Sequence, residues 1–314
     1  MGFLSNNFIS DFFVIVLKLV YSFVRDYSGA IIILTVAIRL LILPLDLKQK
    51  QSARKMAMIQ PKLESLKKRY ASNPQQLQKK QQELYKIEGV KPLAGCLPML
   101  ITLPIFFAFF GAMRVLEAEQ TISFILNAQH LGPDAYVLPQ WLWVHNFWQP
   151  DSGLEPIMKG AAQFAQFFAT NVNVTPQQLH MMAGSGLLNF DVVNGLQAGA
   201  AYQTLADNII QTNGLVGVNN GWFILPILAG ASLFLQQRLT TAQTPGGAQA
   251  QPGGKFMLWF FPLFSVYICA TANAAFSVYW LAANIYALGQ TLIVNWIYKK
   301  QDEKRKQGVI EEAT

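Results

Sequence analysis

The sequence predicts an all-α polytopic membrane protein with five transmembrane helices, a cytoplasmic helical hairpin and an N-terminal interfacial helix. Its 314 residues are 52% hydrophobic and only 13% charged, which is too apolar for an ordinary soluble domain. Residues 256–298 contain no Asp, Glu, Lys or Arg, so this run is long enough for two membrane-crossing helices of about 20 residues each. The basic residues are concentrated in one stretch, as expected for loops on opposite sides of a membrane.

The N-terminal segment, residues 1–27, is predicted to form an amphipathic helix in the outer membrane interface. Its polar side chains recur at helical spacing and gather on one face: Asp11, Lys18, Ser22 and Arg25. A spanning anchor is the alternative, but it would place Lys18 in the middle of the bilayer. A cleaved signal peptide is not favoured, because no small-residue cleavage motif follows the apolar core.

The remaining segments follow from alternating apolar and charged runs, and the polar "TANA" at 271–274 predicts a tight turn between the last two helices. The predicted transmembrane helices are 28–47, 92–115, 221–238, 256–272 and 273–298. The segments between and after them are the cytoplasmic hairpin 48–91, an extracytoplasmic region 116–220, a flexible cytoplasmic loop 239–255 and a cytoplasmic tail 299–314.

The orientation follows from the basic residues. Residues 48–91 contain twelve Lys or Arg and three acidic residues, whereas residues 116–220 contain Lys159 alone against seven acidic residues. Because basic loops stay in the cytoplasm, the hairpin is predicted inside and region 116–220 outside. An external N-terminus and an internal C-terminus follow for five spans.

The hairpin is predicted to be an antiparallel pair of helices. Asn73 is the expected N-cap of the second helix, with Pro74 at its first position and Gln76 completing a capping box. Apolar residues recur at intervals of three and four along the first helix and continue on the second: Met56, Ile59, Leu63, Leu66, Tyr70, Leu77, Leu84 and Ile87.

Polar side chains form stripes along the predicted spans. The first span carries Ser28, Thr35, Arg39 and Asp46, the third carries Ser232 and Gln236, and the last carries Ser277, Trp280, Asn284, Thr291 and Asn295. Hydrogen bonds between helices explain Ser, Thr and Asn as well as a wet cavity does. They do not explain Arg39, which costs about 2.5–3.5 kcal/mol near the membrane centre and has no acidic residue at the same depth. Arg39 therefore predicts a water-filled cavity within the bilayer.

Catalysis, metals and cofactors are not expected. The chain has no GxSxG, HExxH, CxxC, P-loop or Rossmann motif, and its three histidines lack metal-ligand spacing. Cys96 and Cys269 are interpreted as small buried apolar residues, and a disulfide between them is not expected because they lie near opposite ends of their spans.

Four segments together resemble the YidC/Oxa membrane protein insertases. They are "AIRLLILPL", the stretch from "KQKQSARKMAMIQPKLESLKKRY" to "GCLPMLITLPIFFAFF", "ILPILAGASLFLQQRL" and "FFPLFSVYICATANAAFSVYWLAANIYALGQ". They match the family pattern in order and spacing over about residues 8–115 and 221–300. The resemblance implies five helices around a hydrophilic groove that is open to cytoplasm and lipid and closed outside.

The resemblance also implies roles for individual residues. The groove arginine corresponds to Arg39, the functional threonine one turn earlier to Thr35, and the aromatic residue of the last span to Trp280. With the stripe residues, the predicted substrate groove is Arg39, Thr35, Trp280, Gln236, Asn284 and Ser277. The hairpin corresponds to the family's substrate-receiving hairpin, with candidate contacts at Lys48, Arg54, Lys55, Lys67, Lys68 and Arg69, although a solvated charged face is the alternative for each lysine.

Nascent membrane proteins and lipids are the implied partners, and the Sec translocon, the signal recognition particle pathway and the ribosome are further candidates. Direct nucleic-acid binding is not expected, and the predicted active form is a monomer in the bacterial inner membrane. The chain departs from the family in its long stretch 152–220, in lacking the large external domain of Gram-negative members, and in a short, weakly basic tail that predicts weak ribosome docking. The alternative function is a small-anion transporter or channel with Arg39 as its binding site.

Overall fold

The computed structural model describes residues 8–90, 97–171, 174–241 and 254–311. Cys96 and most of the predicted loop 239–255 lie outside these ranges. The described chain is mostly helical and contains one two-stranded sheet. Its elements in order are α1 Phe8–Val24, α2 Tyr27–Arg69, α3 Pro74–Ile87, α4 Leu97–Leu131, a 3-10 turn Gly132–Ala135, α5 Ala161–Thr170, α6 Pro176–Gly184, β1 Leu188–Asp191, β2 Gly195–Ala198, α7 Ala200–Thr212, α8 Ile224–Thr241, α9 Gly254–Thr271 and α10 Ala274–Glu311.

Three helices continue beyond the predicted segment boundaries. The first span and the first hairpin helix form one helix, α2, which contains Pro44 and Pro61. Likewise, α4 continues to Leu131 instead of ending at 115, and α10 continues to Glu311 instead of ending at 298. The predicted segment boundaries mark where charge appears, and charge does not stop a helix, because caps and breakers do. A helix can therefore continue past the end of a span, and the predicted segment boundaries stay predictions.

Within the described ranges, two helices are long and apolar enough to cross a membrane, namely Tyr27–Arg69 and Ala274–Gln301, and Leu258–Thr271 is a shorter apolar helix. The count of five spans therefore stays a prediction. The predicted turn at "TANA" is confirmed, because α9 ends at Thr271 and α10 begins at Ala274.

The chain divides into two compact units. The first comprises the described parts of Met1–Leu34, Leu103–Ile227 and Val266–Trp280, and the second those of Thr35–Thr102, Leu228–Ser265 and Leu281–Thr314.

In the second unit, α3 packs against the end of α2 as the predicted hairpin. Ile59 and Leu63 are buried together with Val90, and Met56, Leu84 and Tyr85 pack around them. Ile87 was predicted in this stripe but is 80% exposed, and Val90, just after the helix, takes the corresponding buried place. Lys62 on α2 forms an ion pair with Glu88 after α3, at 2.5 Å.

The cap of α3 is the predicted one in part. The Asn73 side chain accepts a hydrogen bond from the Gln76 N–H at 3.1 Å, and Pro74 is the first helical residue. The reciprocal bond of a capping box is absent among the described contacts, because the Asn73 N–H donates to the Tyr70 carbonyl. The N-cap prediction is confirmed and the capping box is wrong.

Replacing Asn73 with alanine should destabilise α3 by about 1 kcal/mol, because the Gln76 N–H loses its acceptor. Faster amide hydrogen exchange over residues 74–87, with exchange in α7 unchanged, is the expected result. Ser72 lies next to the cap, so Ser72→Ala is a matched control that should leave exchange unaltered. Equal exchange in Asn73→Ala and the unaltered protein would contradict the capping role.

In the first unit, α1 has three distinct faces. Phe13, Val14 and Leu17 are buried, with the Phe13 ring 4.7 Å from that of Phe109 on α4. Three members of the predicted polar face, Asp11, Lys18 and Ser22, lie on α1, whereas Arg25 follows the end of the helix with a φ of +55° and was wrongly placed on it. Lys18 forms an ion pair with Glu119 of α4 at 2.7 Å. The third face is exposed and apolar: Phe12, Ile15, Leu19 and Phe23. Its position in a membrane interface stays a prediction.

The described residues of the region 132–220, for which the sequence predicted no individual elements, form a folded lobe with the C-terminal part of α4. Strands β1 and β2 pair antiparallel, from Leu188 opposite Ala198 to Asp191 opposite Gly195. The buried core of the lobe includes Ile125, Phe164, Met182, Tyr202 and Ile209. The long stretch 152–220 is therefore a structured part of the first unit with its own hydrophobic core.

Candidate functional site

Arg39 and Thr35 lie one turn apart on the same face of α2. Thr35 is buried, with 2% of its surface exposed, and Arg39 is half-buried. Among the described residues, no carboxylate lies within 4 Å of the Arg39 guanidinium. The arginine predicted to be without an ion-pair partner therefore has none in the described chain.

Asp46, two turns further along α2, is the acidic group in electrostatic contact with Arg39. Asp46 is buried, with 8% of its surface exposed. Asp46 also interacts electrostatically with Lys50, and the Lys50 Nζ donates to the Thr291 hydroxyl at 2.8 Å. The polar stripes of α2 and α10 therefore meet in a network within the second unit.

Two other predicted groove residues, Asn284 and Gln236, belong to the second unit. Asn284, with 8% exposed, donates through Nδ2 to the Ala229 carbonyl at 3.2 Å and lies 3.4 Å from the Ser232 hydroxyl. Gln236 on α8 is half-buried, and its carbonyl accepts the Thr240 hydroxyl. For Asn284, helix-to-helix hydrogen bonding accounts for the polar group without a water-filled cavity.

Ser277 and Trp280 belong to the first unit. Ser277 is fully buried, and its hydroxyl donates to the Cys269 carbonyl on α9 at 3.0 Å. Trp280 is half-buried, and its ring meets that of Phe106 edge to face at 5.1 Å. Ser277 thus joins two helices and is inaccessible, whereas Trp280 keeps an accessible surface. The two units hold different members of the predicted groove, and the complete groove stays a prediction.

The hairpin cations are mostly exposed. Lys48, Lys55, Lys67, Lys68 and Arg69 face solvent, whereas Arg54 is half-buried with its guanidinium 4.3 Å from the centre of the Tyr298 ring. Arg54 therefore joins α2 to α10 by a cation–π contact. The others form a basic surface that has the charge needed to attract an acidic partner.

Asp151 is a buried acidic residue whose role the sequence did not reveal. It is completely buried and accepts four N–H donors at 2.7–3.0 Å: those of Trp222, Phe223 and Leu225, and the indole N–H of Trp143. The donors at residues 222–225 belong to the start of α8, so the carboxylate caps that helix. The three backbone donors are about seventy residues from Asp151 in sequence, and a local pattern could not have found them.

A half-buried charge, Lys159, ties the lobe to α4. Its Nζ lies 3.0 Å from Glu117, with 12% and 17% of the two side chains exposed. Glu117 also accepts the Asn273 amide at 3.0 Å, and the Lys159 carbonyl accepts the Tyr202 hydroxyl at 2.5 Å. Tyr202 stacks on Phe164, and burial raises the pKa of its phenol above the usual value.

Tyr202→Phe should lower the stability of the protein by about 1 kcal/mol, because the partly buried Lys159 carbonyl loses its donor while the ring stacking is kept. The raised pKa adds a pH dependence. The native state keeps the phenol proton, so stability is constant below pH 10, the ordinary tyrosine pKa, and falls as the pH rises above it. The test is the unfolding midpoint of the protein in detergent solution at pH 8 and above pH 10. The loss of stability at the higher pH should be smaller in Tyr202→Phe. An equal alkaline loss in both proteins would contradict it.

Among the residues described, no group of three or more His, Cys, Asp or Glu side chains is placed to hold a metal ion. The geometry thus consists of polar stripes, a basic hairpin and buried helix-joining polar groups.

The family model described as "60Kd inner membrane protein" matches residues 19–222 and 200–302, which together cover most of the chain. The chain belongs to the YidC/Oxa family. This confirms the resemblance, and the family's inner-membrane description agrees with the apolar helices.

Several relatives of this YidC/Oxa chain are named membrane protein insertases. It is 28% identical over 288 residues to the insertase MisCA of Bacillus subtilis, covering 90% of this chain and 76% of the relative. It is 27% identical to YidC of Treponema denticola, covering 91% of this chain but 37% of that longer protein. A shorter alignment with YidC of Fusobacterium nucleatum is 40% identical over 136 residues, covering 42% of this chain and 65% of the relative.

Proposed function

We propose that this chain is a membrane protein insertase that moves short polar segments of nascent membrane proteins across the bilayer and releases apolar segments into lipid. The observation that carries the proposal is Arg39, a half-buried cation on an apolar helix with no carboxylate within 4 Å in the described chain. The insertase names of its relatives support the same function.

In the proposed mechanism, the polar stripe beside Arg39 forms the wall of a wet groove. Hydration and an anionic partner both reduce the cost of a cation at membrane depth, so an acidic extracytoplasmic segment of a substrate gains from entering the groove. The following apolar segment then slides into lipid between the third and fifth predicted spans. No covalent bond is made or broken, and no cofactor is needed.

The basic surface of the hairpin is proposed as the first contact of the substrate. Five of its cations are exposed and do not belong to the hydrophobic cluster around Ile59 and Leu63: Lys48, Lys55, Lys67, Lys68 and Arg69. Long-range attraction raises the rate of encounter with acidic chains. The Sec translocon, the signal recognition particle pathway and the ribosome are proposed partners at the same cytoplasmic face, and the external N-terminus and internal C-terminus are part of the proposal.

The test is rescue of a bacterium depleted of its own YidC. Expression of this chain should restore growth and the membrane insertion of a single-span substrate, with equal membrane levels of the chain verified by immunoblotting. Vesicles that contain the purified chain should not take up small anions. The transporter would be favoured over the insertase if the chain failed to rescue growth at normal membrane levels and if the vesicles took up anions in a way that Arg39→Ala abolished.

A further inference from the structure

A charged cavity in the first unit lies apart from the residues of the proposed groove. It has a volume of about 380 Å³ and is bordered by α4, the segment before α5 and the turn between α9 and α10. Four side chains at helical spacing form its α4 wall: Phe110, Met113, Arg114 and Glu117. Pockets that hold small molecules have volumes of about 300–1,000 Å³, so this cavity is large enough for a headgroup-sized ligand.

The charges of the four ionisable residues in the cavity lining sum to zero, and two of these residues form an ion pair with each other. Lys159 and Glu117 neutralise each other at 3.0 Å, and Glu117 has a further donor in the Asn273 amide. This pair and its amide donor form a fixed part of the wall. A ligand would have to be recognised by the remaining cation and the remaining carboxylate.

Arg114 and Glu155 are those remaining charges. Arg114 is half-buried and has no ion pair or hydrogen bond within the described ranges. Glu155 accepts the Gln163 amide through Oε2 at 2.9 Å, and its Oε1 has no hydrogen-bond partner in the same part of the chain. The lining thus presents one uncommitted charge of each sign.

Gln149 adds a neutral donor to the same cavity. It is buried, with 7% exposed, and its Oε1 accepts from Lys159 at 3.4 Å, which directs the lysine. Its side-chain amide N–H groups donate to no acceptor among the described residues. Gln149 lines the cavity, so its uncommitted amide donor can offer a hydrogen bond to a ligand oxygen there.

We propose that this cavity binds a phosphoamine zwitterion, the chemistry shared by a phosphatidylethanolamine headgroup and free glycerophosphoethanolamine. The phosphodiester accepts hydrogen bonds from the planar Arg114 guanidinium and the Gln149 amide, and the ammonium donates to Glu155 Oε1. Arginine suits phosphate because its N–H donors match two phosphate oxygens at once. A zwitterion pairs with both Arg114 and Glu155 and leaves the cavity neutral. A simple anion would be repelled by Glu155, and a simple cation by Arg114.

The test uses the full chain in detergent micelles and isothermal titration calorimetry. The probes are dihexanoyl phosphatidylethanolamine, glycerophosphoethanolamine and dihexanoyl phosphatidylglycerol, which carries the phosphate but lacks the amine. Arg114→Gln and Glu155→Gln should each weaken phosphatidylethanolamine binding by about tenfold or more. Arg25→Gln and Asp207→Asn, exposed and outside the cavity lining, are the matched controls and should bind as the unaltered protein does.

If both amine probes bind, the site is supported and the headgroup alone is sufficient for recognition. If phosphatidylethanolamine binds and glycerophosphoethanolamine does not, the ligand is a membrane lipid. Phosphatidylglycerol binding as tight as that of phosphatidylethanolamine would overturn the zwitterion, and full binding by Arg114→Gln would overturn the site. Unfolding midpoints measured without ligand establish that Arg114→Gln and Glu155→Gln are folded. If one of these variants does not fold, the binding result of the other variant tests the site. The binding assay needs no insertion activity, so its failure is distinct from failure of the insertase proposal.

Discussion

Gly221→Ala should lower the free energy of unfolding by about 3 kcal/mol, because two costs fall on one methyl group. Gly221 has φ of +79°, a left-handed conformation that disfavours any Cβ. A Cβ at this position would lie 2.0 Å from Oδ1 of Asp151, the carboxylate that caps α8. The added methyl group would therefore displace the acceptor of the Trp222 and Phe223 N–H groups.

Gly214→Ala is the matched control for the strain alone. Gly214 has φ of +67°, but a Cβ there would meet nothing within 4 Å, so its replacement should cost only about 1–2 kcal/mol. The measurement is the midpoint of denaturant-induced unfolding in detergent for both variants. Equal shifts would show that the contact with Asp151 adds nothing, contrary to the capping role.

The Asp151 cap illustrates which parts of the fold the sequence could predict. The N-cap at Asn73 was predictable because its acceptor and donor are three residues apart, and the hairpin core at Ile59 and Leu63 because helical spacing is local. The donors to Asp151 come from residues 222–225, brought near only by the folded lobe. Long-range hydrogen bonds of this kind leave no local signal.

Helix ends and buried polar groups show the same limit. Charge placed the predicted boundaries of the spans, but α2, α4 and α10 continue past them because the backbone hydrogen bonds continue. The stripe periodicity found Ser277 and Asn284 correctly as inward-facing, yet could not distinguish a wet groove from a bond to another helix. Their contacts with Cys269 and Ala229 supply that distinction.

Arg39 differs from these residues because no neighbouring helix carbonyl or carboxylate satisfies it in the described chain, and its acidic contact, Asp46, also interacts electrostatically with Lys50. A cation in this state is available to a substrate carboxylate. The sequence could predict this much because the absence of an acidic residue at its depth is visible in the sequence itself.

Arg39→Ala should therefore reduce insertion of a single-span substrate with an acidic extracytoplasmic tail by about tenfold, the effect of losing one charge-assisted contact. Arg39→Lys should keep part of the activity, since it retains the charge but loses the planar donor fork. The assay follows protease protection of the tail in vesicles containing equal amounts of each variant.

A substrate whose tail acids are replaced by Asn and Gln separates attraction from hydration. If the charge itself acts on the substrate, Arg39→Ala should barely affect this neutral tail, and if Arg39 mainly keeps the groove wet, both tails should lose insertion together. Arg238→Ala removes a cation from α8 outside the Arg39 stripe and should leave both substrates unaffected. Insertion of the acidic tail by Arg39→Ala at the unaltered rate would remove Arg39 from the mechanism, because neither its charge nor its hydration would then be needed.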